Sequence, residues 1–332
     1  MLNRTLLALL LGAGIALGGQ ACAAEKGKAA TSVAEAGPDF AFQGEYSGEV
    51  PAKEGGKMKV GMQIIAMGEG KFHSVGHMGG LPGEGSTGKD FKGHEADGEL
   101  KEGVVVLAMG DHTGTIKEGV ITVRDSSGTE KFSLKKVERK SPTLGAKPPE
   151  GAVVLFDGST PDQFNGGKLT DDNLLMVGVT SKLAFGDFTL HMEFRLPFMP
   201  DARGQGRANS GLYLQDRYEC QILDSFGLKG LNNECGGFYT QRDPDYNMCF
   251  PPLAWQTYDI DFKAAKYDEA GKKIKNAVVT VKHNGVAIHK DYELPDSSPG
   301  GKPESAKPGP IQLQNHGNPV HFRNIWIVES KG

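Results

Sequence analysis

Between Arg207 and Ser225 the polar side chains fall into phase. Asn209, Gly211 and Tyr213 alternate with Ser210, Leu212 and Leu214, and Glu219 and Gln221 alternate with Tyr218, Cys220 and Ile222. Side chains of a strand have period two, so each half of this segment reads as a strand with one apolar face and one hydrogen-bonding face. A sheet face that carries a carboxylate, amides and a phenol together suits a polyhydroxylated ligand.

The connecting turn decides whether the two polar faces coincide. A two-residue turn at Asp216-Arg217 pairs Gln215 with Tyr218 and places Glu219 and Gln221 among Leu212 and Leu214. A three-residue turn, Gln215 to Arg217, pairs Leu214 with Tyr218 and brings Tyr213, Glu219 and Gln221 to one face. Burying a carboxylate among leucines costs several kcal/mol, so the odd-length turn is expected.

Glu219 is the foremost candidate for proton transfer, because exclusion of water raises a carboxyl pKa toward the range a base or acid needs. Its alternative role is an ion pair with Arg207 or Arg323 on the sheet face. Gln221 and Asn209 would orient hydroxyl groups, or else form a cross-strand ladder. Further along, Gln312, Gln314 and His316 share parity, and a histidine titrates near neutral pH; a turn role beside Gly317 is its alternative. Arg323 shares parity with His321, and either could hold an oxyanion. Asp224, at a strand end, could take a sugar, a divalent metal such as calcium or a transition metal, or its own turn. Trp255 and Trp326 sit in alternating strands and read as core rather than stacking platforms.

These residues need strands to hold them, and the chain is built for strands. It has 332 residues, 47 of them glycine, and little helical apolar periodicity. The net charge of -4 argues against nucleic-acid binding or an anionic membrane surface. Residues 1–23 read as a secretory signal: Arg4, an apolar run from Leu6 to Leu17, and Ala21-Cys22-Ala23 at the cleavage site. A lipoprotein signal on Cys22 is the weaker reading, because no leucine stands three residues upstream. The mature chain is therefore expected in the periplasm or outside the cell, with no transmembrane segment. Of the remaining cysteines, Cys235 and Cys249 flank a loop and are the expected disulfide, with three buried thiols as the alternative.

Residues 24–39 read as a mobile leader and 40–137 as a small antiparallel β meander with His73, His77, His94 and His112 in or near its loops. Residues 138–152, rich in proline and glycine, read as a linker, and 153–330 as a second β domain. In the latter the strands 188–195, 209–223, 255–262, 277–282, 310–314 and 320–328 are legible. Asn284-Gly285 marks a hairpin. With no helices between them, these strands imply an antiparallel sandwich.

The second domain resembles the 3-keto-disaccharide hydrolase domain family. The resemblance rests on Leu155-Phe-Asp-Gly158, Phe185-Gly-Asp-Phe188, Asn209-Ser-Gly-Leu-Tyr-Leu214, Tyr218-Glu-Cys-Gln-Ile-Leu-Asp224, Trp255-Gln-Thr-Tyr258, His283-Asn-Gly285 and the run from Gly309 to Trp326. Phe164 and Cys220 depart from it, standing where the family often has tryptophan and valine. The resemblance implies a concanavalin A-like jelly-roll sandwich, so the expected fold class is all-β, with that jelly roll behind the small β domain.

It also implies cleavage of glycosidic bonds in sugars oxidised at C3. A C3 ketone acidifies the C2 hydrogen. Its removal lets the C1 oxygen leave by β-elimination, and water then adds back. Glu219 and His316 would carry the proton transfers. Arg207, Asn209, Tyr213, Gln221, Asp224, Gln314 and Arg323 would bind the substrate. A carbohydrate-binding module without catalysis is the alternative on the same scaffold. No residue pattern in the sequence points to an oligomeric state.

Overall fold

The computed structural model describes residues 28–52 and 55–330; the signal segment and Cys22 lie outside them. Eight strands occupy the N-terminal part, from Gly44–Pro51 to Glu130–Val137, each antiparallel to the next. The first also pairs with the last, Glu45 opposite Val137 and Ser47 opposite Lys135, which closes a barrel. Alternation along the strands sends Tyr46, Ile64, Phe72, Leu107, Ile121 and Leu134 inward, where they are buried in one core. Gly48 sits at the closure, and a Cβ there would stand 2.8 Å from the Ser133 carbonyl oxygen.

Closure corrects the expected fold class. The chain is all-β, but it is not a jelly roll behind a meander: its first eight strands form a closed barrel with no free edge. The unforeseen strands are Gly44–Pro51, Lys71–Met78 and Glu95–Lys101. Two carry glycines and charges that read as loop, and the third holds His73 and His77, which are strand residues rather than loop residues.

The C-terminal part has two antiparallel sheets around a shared core. In the smaller, the order is Phe164–Asn165, Val179–Phe185, Gly309–Leu313, Ser210–Leu214 and Tyr218–Ile222. In the larger it is Leu175–Met176, His321–Glu329, Phe188–Arg195, Trp255–Lys263, Ala277–His283 and Val286–Leu294, with Val153–Phe156 also beside His321–Glu329. Leu190, Met192 and Phe194 of the larger sheet meet Leu212, Leu214, Cys220 and Ile222 of the smaller. Trp255 and Trp326 are outside this core. The Trp255 ring lies between the guanidinium groups of Arg195 and Arg323, 5.1 and 3.9 Å from its centroid, and Trp326 stacks on His191.

Two segments read as free are docked. Ala30 is buried and exchanges backbone hydrogen bonds with Phe198 at 3.0 and 2.8 Å, so the leader is anchored from that point. The linker has no strand, yet it straps the outer face of the larger sheet. The Gly145 amide donates to Glu193 Oε1 (2.5 Å), Thr143 Oγ1 to Asp259 Oδ2 (2.6 Å), and Asn324 Nδ2 to the Ala146 carbonyl (3.0 Å). The expected disulfide is also corrected: Cys220, Cys235 and Cys249 are free, buried thiols. The Cys235 and Cys249 thiols are nevertheless neighbours, and Cys235 Sγ also meets the Tyr258 hydroxyl at 3.2 Å, in an interior without contact to solvent.

Candidate functional site

The hairpin has the odd-length register. Leu214 stands opposite Tyr218, Tyr213 opposite Glu219, and Gly211 opposite Gln221. Gln215 and Asp216 have φ of 54° and 58°, and the Arg217 amide donates to the Leu214 carbonyl at 3.0 Å. This is a primed turn, whose twist matches that of the strands it joins. The neighbouring Gly309–Leu313 strand adds Gln312 beside Tyr213.

The polar face is itself covered. Glu219 is 3 % exposed and Asn209, Gln221 and Tyr213 are similarly buried. One cover is the segment around Ser298: its Oγ accepts from the Glu219 amide (3.0 Å), and the Pro299 carbonyl accepts from the Tyr213 hydroxyl (3.2 Å). To the side, Gly236 to Tyr239 closes the outer edge of the Tyr218–Ile222 strand; the Tyr239 amide donates to the Glu219 carbonyl at 3.2 Å. Gly211 leaves room for the carboxyl, since a Cβ at that position would overlap Glu219 Oε1.

Burial pushes the Glu219 carboxyl up to about 7, with the Tyr213 phenol acting in the opposite direction. Burial likewise pushes the Tyr213 phenol above its ordinary value, and the nearby Glu219 adds to this. Among the described residues no cation pairs with Glu219. Gln314 Nε2 donates to the Tyr213 hydroxyl at 3.4 Å, while Gln314 Oε1 is buried without a partner.

Asn209 and Gln221 are joined through Gln205, which the sequence reading missed. Gln205 Oε1 accepts from Asn209 Nδ2 (3.0 Å) and Gln221 Nε2 (3.4 Å). Asn209 Oδ1 is buried with no partner, as is Gln241 Oε1 near the same cover. Each of these carbonyl oxygens has its full acceptor capacity left over. Gln205 lies in the short 3₁₀ helix Gly204–Gly206 and Gln241 in a loop, where strand parity offers no signal.

The remaining candidates stand apart. Arg207 Nε donates to Asp224 Oδ2 at 2.6 Å, and Asp224 Oδ1 accepts from the Phe226 amide at 3.3 Å. Asp224 is thus engaged as a turn and ion-pair residue rather than offered to a ligand; Arg207 keeps one buried, unpartnered nitrogen, Nη2. Arg323 is in the larger sheet. It donates through Nε to Glu193 Oε2 at 2.7 Å, inside a cluster with His191, Asp259 and Asn324 under the linker strap. Burial works to raise the Glu193 carboxyl, but hydrogen bonds from His191, Asn324, the Gly145 amide and Arg323 outweigh it and hold it down at about 2. This cluster fastens the strap.

His316 is exposed on the turn after Leu313, with no side-chain hydrogen bond among the described residues. Its turn adjoins the site through Asn318, whose Oδ1 accepts from the Asn209 amide at 2.8 Å, but the imidazole is not brought to Glu219. Among the described residues, no three His, Cys, Asp or Glu side chains are placed to hold a metal ion, and Asp224 has no second acidic partner at its carboxyl.

The fold and site define an all-β protein with a two-sheet domain that buries one proton-accepting carboxyl, a phenol and a set of amides on a sheet face. The chain belongs to the 3-keto-alpha-glucoside-1,2-lyase-like domain family, whose model matches residues 151–328. Among solved structures, a protein from Parabacteroides distasonis ATCC 8503 named a glycosyl hydrolase is 32% identical, at a TM-score of 0.50. That match covers 55% of this chain and 85% of the other. Two further proteins of that organism, named in the same way, are 17% and 21% identical at TM-scores of 0.40 and 0.38. They match over 55% and 54% of this chain, and 95% and 99% of their own. No protein of curated function matches.

Proposed function

We propose that this protein cleaves the glycosidic bond of 3-keto-glycosides, with Glu219 as the base. The supporting observation is a single carboxyl, 3 % exposed, whose burial raises its proton affinity to about neutral pH beside a phenol and unpartnered amide oxygens. Glu219 takes the C2 proton, and the C–H electron pair forms a C2–C3 enolate. The enolate collapses to restore the C3 ketone, forms C1=C2 and expels the C1 oxygen, which takes a proton. Water then adds its hydroxyl to C1 and a proton to C2, so the net reaction is hydrolysis. Tyr213 stands opposite Glu219 and would donate to the enolate oxygen by turning its hydroxyl from the Pro299 carbonyl, with Gln314 Nε2 bonded behind that hydroxyl. Asn209 Oδ1 and Gln241 Oε1 accept from sugar hydroxyls. Paired carboxylates, as an ordinary glycosidase needs, are not required.

The signal segment would place the enzyme in the periplasm or outside the cell, which fractionation of cells producing the full chain checks. The activity is tested by incubation with a 3-keto disaccharide in D₂O, following free sugar and deuterium at C2. Release with deuterium at C2 supports the reading. Binding without release would instead establish a carbohydrate-binding module. Equal turnover of the unoxidised disaccharide would point to a conventional glycosidase. Glu219→Gln should abolish release, whereas exposed His316→Ala should stay within about twofold of wild type, as surface substitutions usually do.

A further inference from the structure

The connection between Ile222 and Trp255 contains no named strand. It is far longer than the ~12–15 residues beyond which a structureless loop usually has a function. Its middle is bonded to the site strand. Gly236 donates its amide to the Gln221 carbonyl (2.9 Å), Gln221 its amide to Gly237 (2.8 Å), and Phe238 bridges to Cys220. The Tyr218–Ile222 strand is the last of its sheet, so this segment satisfies the edge that would otherwise be open to water.

Both flanks of the connection rest on the barrel. On the N-terminal flank Phe226 is buried with Ile65, Val75 and Phe91. Gly227 lies so close that a Cβ would stand 2.5 Å from Ile65 Cδ1. On the C-terminal flank Lys89 Nζ donates to the Pro244 carbonyl at 2.8 Å and the Asn247 amide to the Thr87 carbonyl at 2.9 Å. The linker's Arg139, whose Nε donates to Glu45 of the barrel at 2.7 Å, holds its guanidinium 5.0 Å over the Phe250 ring. Asn247 Nδ2 ties the flanks together, donating to the Ser225 and Leu228 carbonyls at 2.8 Å each.

We infer that the N-terminal barrel is an intramolecular clamp on the 223–250 connection, with Ile65, Lys89 and Asn247 as positioning residues for Glu219. None of the three touches the carboxyl. They hold the flanks, the flanks hold Gly236 to Tyr239 on the strand edge, and that segment keeps water from the carboxyl. When a flank is released, the segment lifts, the edge amides exchange and water reaches Glu219. The structural part of the inference stands without the proposed reaction; only its activity readout rests on it.

The test is hydrogen–deuterium exchange on the full chain, read at the amides of Gln221, Gly236 and Tyr239. Lys89→Ala and Ile65→Ala should each speed exchange there by on the order of tenfold, through local opening. Lys89→Arg should restore slow exchange. Val105→Ala, a cavity in the barrel core away from the clamp, is the control for general loss of stability and should leave these amides slow at matched global stability. With a turned-over substrate, Lys89→Ala should also move the acid limb of the pH profile downward, toward an ordinary carboxyl, and Lys89→Arg should return it. Unchanged exchange at the three amides in both clamp variants would overturn the inference, and so would equal acceleration in Val105→Ala. Absence of turnover by the wild type would count against the proposed reaction and leave the exchange result to judge the clamp.

Discussion

Replacing Glu219 with glutamine separates the two consequences of its burial. The carboxyl moves from an ordinary value of 4.5 to about 7 on folding. The folded state therefore holds a proton that the unfolded chain has lost between those two pH values. Stability from this group is fully present below about pH 4.5 and is lost as pH rises through 7. At 1.36 kcal/mol per tenfold change in proton affinity, the loss amounts to roughly 3 kcal/mol by pH 8. Glutamine keeps the shape and cannot ionise. Wild type and variant should thus be similar near pH 4, and the variant should be more stable by up to about 3 kcal/mol at pH 8. Urea unfolding of both proteins across pH 4–8 measures the difference. The same substitution should lower kcat by about 10²–10⁴, the usual worth of a positioned base, and wild-type turnover should rise with pH through about 7. A stability difference that does not grow between pH 4.5 and 7 would refute the claim that Glu219 is buried with raised proton affinity, whatever the activity shows.

Other substitutions probe the scaffold around this group. Gly211→Ala places a methyl on Glu219 Oε1 and should cut turnover sharply while costing about 1–3 kcal/mol, as overpacking does; wild-type kinetics in a folded variant would contradict the site geometry. Asp216→Gly relieves a left-handed residue at φ 58° and should stabilise the protein by a few tenths to about 1 kcal/mol in thermal unfolding. Cys220, Cys235 and Cys249 are buried and free, so a thiol reagent should label none of them in the native protein and all three in denaturant. Loss of the Cys235 and Cys249 thiols from that denatured count would restore the disulfide.

The hairpin register followed from local information alone. Strand parity has a fixed period, and a one-residue slip would bury Glu219 among leucines, so the turn length was determined by the cost of the alternative. The strands at Phe188–Arg195, Trp255–Lys263 and Ala277–His283 were clear for the same reason. Parity says which face a side chain takes, but not which sheet carries it. Arg323 has suitable parity and sits opposite Glu193 in the other sheet, and His316 has it and leaves its strand into solvent. Asp224 was visible as a strand-end acid, while its pairing with Arg207 needed the chain to turn back on itself.

The sequence by itself determined that this is an all-β chain, that residues 153–328 carry the family's pattern, and that Tyr213, Glu219 and Gln221 share a face. Tertiary structure alone decided that this face is enclosed, because Ser298 to Gly300 lies against Tyr213 and Gly236 to Tyr239 closes the strand edge, both loops without a periodic signal. It alone decided that the first eight strands close, since closure brings Glu45 to Val137 across nearly the whole domain. Local rules act through neighbouring torsions and side-chain period. Burial and closure depend on which distant segments meet, and it is burial that raises the proton affinity of the Glu219 carboxyl toward neutral pH.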